Sequence, residues 1–440
     1  MCAPRARCVW IASATWNGAN DLADRRSGLA TLKFHRRGVG DFERQWGYDP
    51  MNEIPVPDRK GFWPNEMQGL LLRVILADGD DRTAARQSWA MWKDATPKID
   101  GTLDLASLRL LPLVYKALAA RGDDDPTLPK LAEIYRKSWM NNQILLAELA
   151  VALRILAGAG VDSLVLKGAA LGELHYRDRG ARPMGDVDVA VRRDSRERAI
   201  DSLVRSGWQL AAPEALAFDA AFRHGCALRS PQGVELDLHW HIFSDCCRDS
   251  VDAPLWQRSI AFEINGTTSR ALDPTDALLH AVVHGTRWNP VSPVRWLTDA
   301  GAILRTSNTR LDWDRLRRQA SDAGFALRVG AALAYLHRNF GLGIPPEAVS
   351  AIAATPVTTI ERLEYRCIGD SDSWSGVNLS SLVLAYSHCA RATHGRSTPQ
   401  RLAYFGRYLR SRLRGKHVLR RFAADPAAAL RVPGPAPGEE

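Results

Sequence analysis

The chain has 440 residues, of which 46% are hydrophobic and 24% charged, the proportions of a soluble globular protein. This length allows two or three domains with a sizeable core. The seven cysteines include no Cys-x-x-Cys pair, which excludes a zinc ribbon or a disulfide framework and favours a reducing cytoplasm. The longest apolar stretch is interrupted by Glu148 and Arg154, so no transmembrane segment is predicted.

The net charge of +9 is concentrated in one segment. Between Arg391 and Arg421 there are ten Lys and Arg residues and no Asp or Glu. Apolar residues recur there at helical spacing, which predicts a basic amphipathic helix. Such a helix either packs on the body with its arginines in solvent, or contacts an anionic partner such as RNA, a lipid surface or an acidic protein.

Hydrophobic periodicity divides the chain into successive parts. Residues 1–55 show no sustained period and are predicted to be a flexible leader, and the Pro- and Gly-rich residues 423–440 a disordered tail. Apolar residues three and four apart predict a helical region over 60–158 and a second one, with the basic segment at its end, over 272–422. Between them, short β-rich runs predict a small α/β core over 159–268. The expected fold class is therefore α+β, with a small mixed sheet flanked by helices.

The stretch RPMGDVDVAV carries two aspartates, Asp186 and Asp188, in alternation with valines. Successive side chains of a strand point to opposite faces, so burying the valines places both carboxylates on one surface. Two adjacent carboxylates repel each other, and a divalent metal removes that conflict. Oxygen ligands of this kind suit Mg²⁺ or Mn²⁺.

A third carboxylate is expected in VELDLHWHI, where Glu235, Asp237, His239 and His241 alternate with apolar residues. Asp237 is the preferred candidate because it lies centrally in this run. If the two strands are neighbours, Asp186, Asp188 and Asp237 converge on one metal site. Two metals bridged by such carboxylates would assist an in-line displacement at phosphorus.

Upstream of the paired aspartates, LVLKGAALGELHY changes from a strand to a helix at Lys167 and Gly168. A glycine at such a junction allows backbone N–H groups to approach a phosphate, and the lysine adds a cation. Lys167 and Gly168 are therefore candidate nucleotide-binding residues.

The chain contains, in this order, LKGAAL, the segment from Arg182 to Asp188, ELDLHW, a histidine-containing helix and WLTD. This order of motifs resembles the nucleotidyltransferase superfamily of the DNA-polymerase-β type. More narrowly, the chain is similar to uncharacterised bacterial nucleotidyltransferase family proteins over about residues 90 to 340. The resemblance implies a Mg²⁺-dependent transfer of a nucleoside monophosphate from an NTP, with ATP the expected donor, and release of pyrophosphate.

Carried over by position, the resemblance implies roles for particular residues. Asp186 and Asp188 would be metal ligands, and Asp237 the third carboxylate and a base for the acceptor hydroxyl. Gly168 would lie under the triphosphate. The superfamily commonly has Gly-Ser or Gly-Gly where this chain has Gly168-Ala169, and the interval to Asp186 is longer than usual. Lys167 and Arg182 would then take over phosphate binding.

Other interpretations stay open at this point. His239, with His284 and Asp299 further along, could contact the acceptor or support the site; zinc hydrolysis through the histidines is another reading. The protein could also be a non-catalytic nucleotide-binding scaffold with a degenerate fold, or an RNA-directed enzyme that uses its basic helix. The acceptor can be a small molecule, a peptide or protein, a saccharide or RNA.

Overall fold

The computed structural model of the protein describes residues 62–413 except 78–81, 97, 100–102, 214–222, 288–292, 308–310, 371–378 and 394. The predicted leader at 1–55 and the predicted tail at 423–440 lie outside the described residues. So do residues 414–421 of the basic segment.

Among the described residues, five helices precede the first strand. They are α1 Glu66–Leu76, α2 Arg82–Ala95, α3 Leu105–Leu108, α4 Leu111–Arg121 and α5 Leu128–Gly158. Asn65 caps α1 by accepting from the Gln68 backbone, and the Gln68 side chain accepts from the Asn65 backbone, forming a capping box. At the C-terminal end of α4, Gly122 adopts a left-handed conformation that ends the helix.

The centre of the fold is a seven-stranded sheet in the order β3-β4-β5-β2-β1-β7-β6. The strands are β1 Ser163–Leu166, β2 Val187–Val191, β3 Gln209–Leu210, β4 Gly225–Arg229, β5 Glu235–His239, β6 Ile260–Ile264 and β7 Thr267–Ala271. β2 pairs with β5 and β1 with β7 in parallel, and the other neighbours are antiparallel. The predicted α+β class with a mixed sheet is confirmed.

Short helical segments connect these strands. The five-residue helix α6, Lys167–Leu171, continues into one π-helical turn, Gly172–Tyr176. A 3₁₀ turn, Arg193–Ser195, leads into α7, Arg196–Arg205, and α8, Asp249–Arg258, follows β5.

In the described part of the chain after the sheet there are eight further helices. They are α9 Pro274–Gly285, α10 Arg295–Ser307, α11 Trp313–Ala323, α12 Ala326–Phe340, α13 Pro346–Ala353, α14 Thr359–Asp370, α15 Leu379–Ala392 and α16 Thr398–Leu413. The described part of the basic segment is therefore helical, as predicted, but it is divided between α15 and α16. Arg391 in α15 is buried, whereas Arg407 and Arg410 in α16 are exposed.

Two hydrophobic clusters cover the two faces of the sheet. One cluster combines α1 to α4 with α9 to α14 and reaches the sheet through Leu164, Leu166 and Ala190. The other packs α5 and α7 against the opposite side chains of β1, β2 and β5, such as Val165, Val189 and Leu238. Helices from before and after the sheet thus share one core, and this places side chains from both helical regions near the same sheet face.

Helix α5 is, within the described ranges, the one helix whose length and composition would suffice to cross a membrane. Of its most apolar 18-residue window, 44% is buried inside the protein. Leu145, Leu149 and Leu153 belong to the cluster that covers the sheet. Since a core helix of a globular protein has these same properties, α5 is weak evidence for a membrane span.

Candidate active site

Two of the three predicted carboxylates lie side by side in the middle of the sheet. In the parallel pairing of β2 with β5, Asp188 is directly opposite Asp237. Asp188 is buried, with 3% of its surface exposed, and Asp237 is half-buried. Asp186 lies one residue before β2 begins, and although part of its surface is exposed, its carboxyl group is partly covered in the cleft. The flanking valines and leucines are buried, which is why the carboxylates share the other face.

Asp188 has two partners that favour its charged form. The Lys167 ammonium forms an ion pair with Oδ1, and His239 Nε2 lies 3.0 Å from the same oxygen. Burial alone would raise the pKa of Asp188, but Lys167 and His239 hold it well below its usual value. His239, predicted to contact the acceptor or to support the site, is thus placed against the catalytic-site candidate Asp188.

The neighbouring carboxylates behave in the opposite way. Desolvation in the cleft and the negative charge of Asp188 raise the pKa of Asp186. Burial and the same charge raise the pKa of Asp237. Negative charge is therefore in excess around Asp186 and Asp237, while Asp188 is already neutralised by Lys167.

These residues can hold a divalent cation. Ligand atoms of Asp188, Asp237 and His239 all lie within 4.8 Å of one another. The Nδ1 atom of His239 is buried and has no hydrogen-bond partner among the described residues. The carboxylate oxygens of Asp188 and Asp237 suit Mg²⁺ or Mn²⁺, and Asp186 is the carboxylate that can add to this group from the preceding bend.

The turn between β1 and α6 is strained and tightly packed. Lys167 has a φ of 48°, in the left-handed region that a side chain rarely adopts. A Cβ on Gly168 would lie 2.6 Å from Arg182 Nη1 and 2.7 Å from Met184 Sδ. Gly168, predicted to lie under the triphosphate, is thus also the residue that allows Arg182 to approach this turn.

Arg182 is held by a buried acid on α10. Its Nε donates to Asp299 Oδ1 at 2.8 Å and its Nη2 to Asp299 Oδ2 at 2.9 Å. The Tyr176 hydroxyl donates to the same Oδ1 at 2.9 Å. Burial would lower the pKa of Arg182, but Asp299 raises it, so the guanidinium stays charged. Asp299 therefore positions Arg182, which is the structural reason for the acid in an otherwise apolar helix.

A cavity of about 70 Å³ lies beside Lys167 and Arg182. Two arginines that sequence reasoning missed also line it: Arg109, which follows α3, and Arg295 at the start of α10. Arg109 interacts electrostatically with Asp186, which connects the cavity to the carboxylates. The remaining lining includes the histidines of α9.

His280 and His284 both line this cavity, one helical turn apart, with ring centroids separated by 6.0 Å. Burial and then the Lys167 charge lower the pKa of His280 to about 3. Burial and the Arg287 charge lower the pKa of His284 well below its usual value. Both imidazoles are neutral at physiological pH, so the cations of the cavity are its lysine and arginines.

The two histidines of the sequence His-x-His, at the end of β5 and just beyond it, do not form one ligand set. His239 faces Asp188, whereas His241 lies beyond the strand and its Nδ1 is 2.6 Å from Asp252 Oδ2. Asp252 also accepts from the Ile242 backbone at 3.0 Å. His241 and Asp252 thus fasten the end of β5 to α8.

Comparison with known proteins gives a family for this arrangement. The family model described as "Uncharacterised nucleotidyltransferase" matches residues 103–341, more than half of the chain. Among solved structures, the crystal structure of an antigenic nucleotidyltransferase-like protein from Paracoccidioides brasiliensis is 17% identical, with a TM-score of 0.30. The match covers 49% of this chain and 94% of that chain. No curated protein matches the chain closely enough to be called a relative. The matched region contains every carboxylate and cation of the site, and the chain belongs to the family of uncharacterised nucleotidyltransferases.

Proposed function

We propose that the protein transfers a nucleoside monophosphate from an NTP, with ATP the expected donor, to an acceptor and releases pyrophosphate. One observation carries the proposal: Asp188 and Asp237 are adjacent on parallel strands, and Asp186 precedes the first of them. These three carboxylates lie next to Lys167 and the basic cavity. The site therefore has an acidic side for the metal ion and a basic side for the phosphates of a metal-bound nucleotide.

The donor set is chemically suited to Mg²⁺. Asp188 and Asp237 would hold the ion through their carboxylate oxygens, and Asp186 and His239 are further candidate ligands. When bound, such an ion neutralises charge on the phosphates and lowers the barrier to displacement at phosphorus. Lys167, which now pairs with Asp188, would become available to a phosphate oxygen once the carboxylate has another cation.

Asp237 is the residue proposed to act as base. Its raised pKa makes its carboxylate a better proton acceptor than an ordinary aspartate. It takes the proton of the acceptor hydroxyl while that oxygen forms a bond to the α-phosphorus of the nucleotide. The bond from the α-phosphorus to the bridging oxygen breaks, and pyrophosphate leaves with its electron pair.

The acceptor class and the location stay open as part of the proposal. A small hydroxyl compound, a peptide or protein, a saccharide or an RNA end would each fit the chemistry. The cytoplasm is the proposed location, and Cys226, Cys246 and Cys247, all thiols in the structure, agree with a reducing compartment.

The first prediction is that Asp188→Asn abolishes nucleotidyl transfer, by a factor of about a thousand or more, since it removes a carboxylate in the centre of the site. Purified protein is incubated with Mg²⁺, a cell extract as acceptor pool, and NTPs labelled at the α or the γ position. Label from the α position should appear on a new species together with pyrophosphate.

Asp249→Asn is the matched control, because Asp249 is an exposed aspartate of α8 outside the site. It should keep wild-type transfer. Transfer of label only from the γ position would identify a kinase instead. Binding of Mg-NTP without any transfer by the wild type would favour a non-catalytic nucleotide-binding scaffold.

A further inference from the structure

The cavity beside the carboxylates has more positive than negative charge in its lining. Four cationic side chains line it, Arg109, Lys167, Arg182 and Arg295, and one carboxylate, Asp299. Asp299 is fully engaged by Arg182, and Lys167 is engaged by Asp188. Among the described residues that line the cavity, two positive charges are therefore left without a carboxylate.

These two charges belong to Arg109 and Arg295. Neither forms an ion pair with a carboxylate within the part of the chain that the structure describes. The hydrogen bond of Arg295 runs from Nη1 to the backbone carbonyl of Pro183. Burial and the neighbouring Arg182 charge lower the pKa of Arg295 to about 9, so three guanidinium groups repel one another here.

Arg109, Arg182 and Arg295 are each half-buried, and a protein holds mutually repelling arginines of this kind most readily where an anion completes the site. The fork of a guanidinium group matches the oxygens of a phosphate or a carboxylate. The two histidines of the cavity are neutral, so they can donate one N–H without adding charge. The cavity, about 70 Å³, has room for a small charged group such as a phosphate.

We propose that Arg109 and Arg295 form a phosphoryl-binding subsite with Arg182 as its third, pre-positioned cation. The ligand class is a phosphate or pyrophosphate group. The subsite is built from three separate parts of the chain: Arg109 follows α3, Arg182 precedes β2, and Arg295 begins α10. Both helical regions therefore contribute to binding, and the α/β core alone does not contain the subsite.

Two sources can supply the phosphoryl group. It can be the β- and γ-phosphates of the donor NTP, in which case the inference deepens the proposed function and rests on it. It can also be a phosphate carried by the acceptor. The interaction of Arg109 with Asp186 places the subsite next to the carboxylates, which is compatible with both.

The test is calorimetric binding of inorganic pyrophosphate to the full chain in EDTA. Arg295→Gln and Arg109→Gln should each weaken binding by about tenfold or more, because each removes a charge-assisted contact. Arg318→Gln is the control: Arg318 is a largely exposed arginine of α11, and its loss changes the net charge by the same amount. It should leave the affinity within about twofold. Should Arg295→Gln fail to fold, Arg109→Gln still decides, since Arg109 is partly exposed.

The source is distinguished with α,β-methylene-ATP, AMP and Mg²⁺. If the subsite binds the donor's phosphates, Arg295→Gln weakens the binding of the ATP analogue by about tenfold and leaves the affinity for AMP unchanged. If the subsite binds an acceptor phosphate, the wild type and Arg295→Gln bind the analogue with equal affinity. Pyrophosphate then still binds to the wild type when it is saturated with the analogue. Equal affinity of the wild type and both arginine variants for pyrophosphate would overturn the inference. Because no turnover is measured, this outcome is independent of whether nucleotidyl transfer occurs.

Discussion

At the scale of single residues, two adjacent aspartates of the same sheet differ in their electrostatics. Asp188 and Asp237 are opposite each other in register, yet the pKa of one is lowered and that of the other is raised. The difference comes from Lys167 and His239, which both contact Asp188 Oδ1 and not Asp237. The sheet therefore sets a carboxylate that holds its charge beside one that accepts a proton more readily.

Gly168→Ala is predicted to destabilise the protein by about 1–3 kcal/mol, because the new methyl group would overlap with Arg182 and Met184. The overlap is relieved only if Arg182 moves. The affinity for pyrophosphate should therefore fall together with the free energy of unfolding. Thermal unfolding and calorimetry measure both effects.

Gly69→Ala, in the middle of α1, is the control for this substitution. A Cβ at Gly69 would contact nothing within 4 Å, so alanine should stabilise the helix by up to about 1 kcal/mol. A Gly168→Ala protein as stable as the wild type would show that Arg182 and Met184 do not confine this turn.

Strand alternation was sufficient to predict that Asp188 and Asp237 share a sheet face, because both lie between buried apolar residues. The same reasoning could not find Arg109 or Arg295. An arginine in a helical pattern is ordinarily a solvated residue, and only the packing of two distant helices on one sheet brings this pair together. The apolar surroundings of Arg109 in LASLRLLP were the one available signal.

At the scale of elements, one buried side chain of helix α5 makes three hydrogen bonds to the segment that carries Arg182. Asn142 Nδ2 donates to the carbonyls of Arg179 at 2.6 Å and Arg182 at 2.9 Å, and its Oδ1 accepts from Met184 N at 3.1 Å. Asn142 is 1% exposed. A long helix of the region before the sheet thus sets the path of the chain into β2.

Asn142→Ala is predicted to lower the free energy of unfolding by about 3 kcal/mol, since it leaves several buried backbone groups without a partner. Urea unfolding followed by tryptophan fluorescence measures the loss. Asn141→Ala is the matched control: Asn141 is exposed and makes one bond to the Met184 carbonyl, so its loss should cost less than about 1 kcal/mol. Equal losses in the two variants would contradict the positioning role of Asn142.

Periodicity predicted the long helices and the strands, but not the π-helical turn at Gly172–Tyr176 or the 3₁₀ turn before α7. Both are too short to show a period. They depend on tertiary contacts, such as the hydrogen bond from Tyr176 to Asp299 on α10. Sequence patterns carry no information on contacts between elements so far apart.

At the scale of the whole molecule, the positive charge of the last segment has two different environments. Arg391 pairs with Glu364 of α14, which is 4% exposed, and lies over the ring of Phe325 at 5.0 Å. Arg407 and Arg410 are exposed on α16. Residue type and spacing predicted one uniformly basic helix, because composition alone does not distinguish a buried arginine from a solvated one.

Arg391→Met is predicted to lower the free energy of unfolding by about 3 kcal/mol, because it leaves the buried Glu364 without its closest cation. Arg407→Met, which removes an exposed charge from the same segment, should change stability by less than about 0.5 kcal/mol. Urea unfolding of the two variants tests the difference. A similar, small effect of both would mean that α15 is not fixed to the body by this ion pair.

The position of the carboxylates within the sheet has a consequence for how the site moves. Counted from the β3 edge of the seven-stranded sheet, β5 is the third strand and β2 the fourth, and both have paired neighbours on both sides. The amides around Asp188 and Asp237 therefore belong to the part of the protein that opens most rarely to hydrogen exchange. Asp186 precedes the first residue of the β2 ladder and can shift without breaking a bond between strands. The positions of Asp188 and Asp237 are thus fixed by the sheet, whereas that of Asp186 is not.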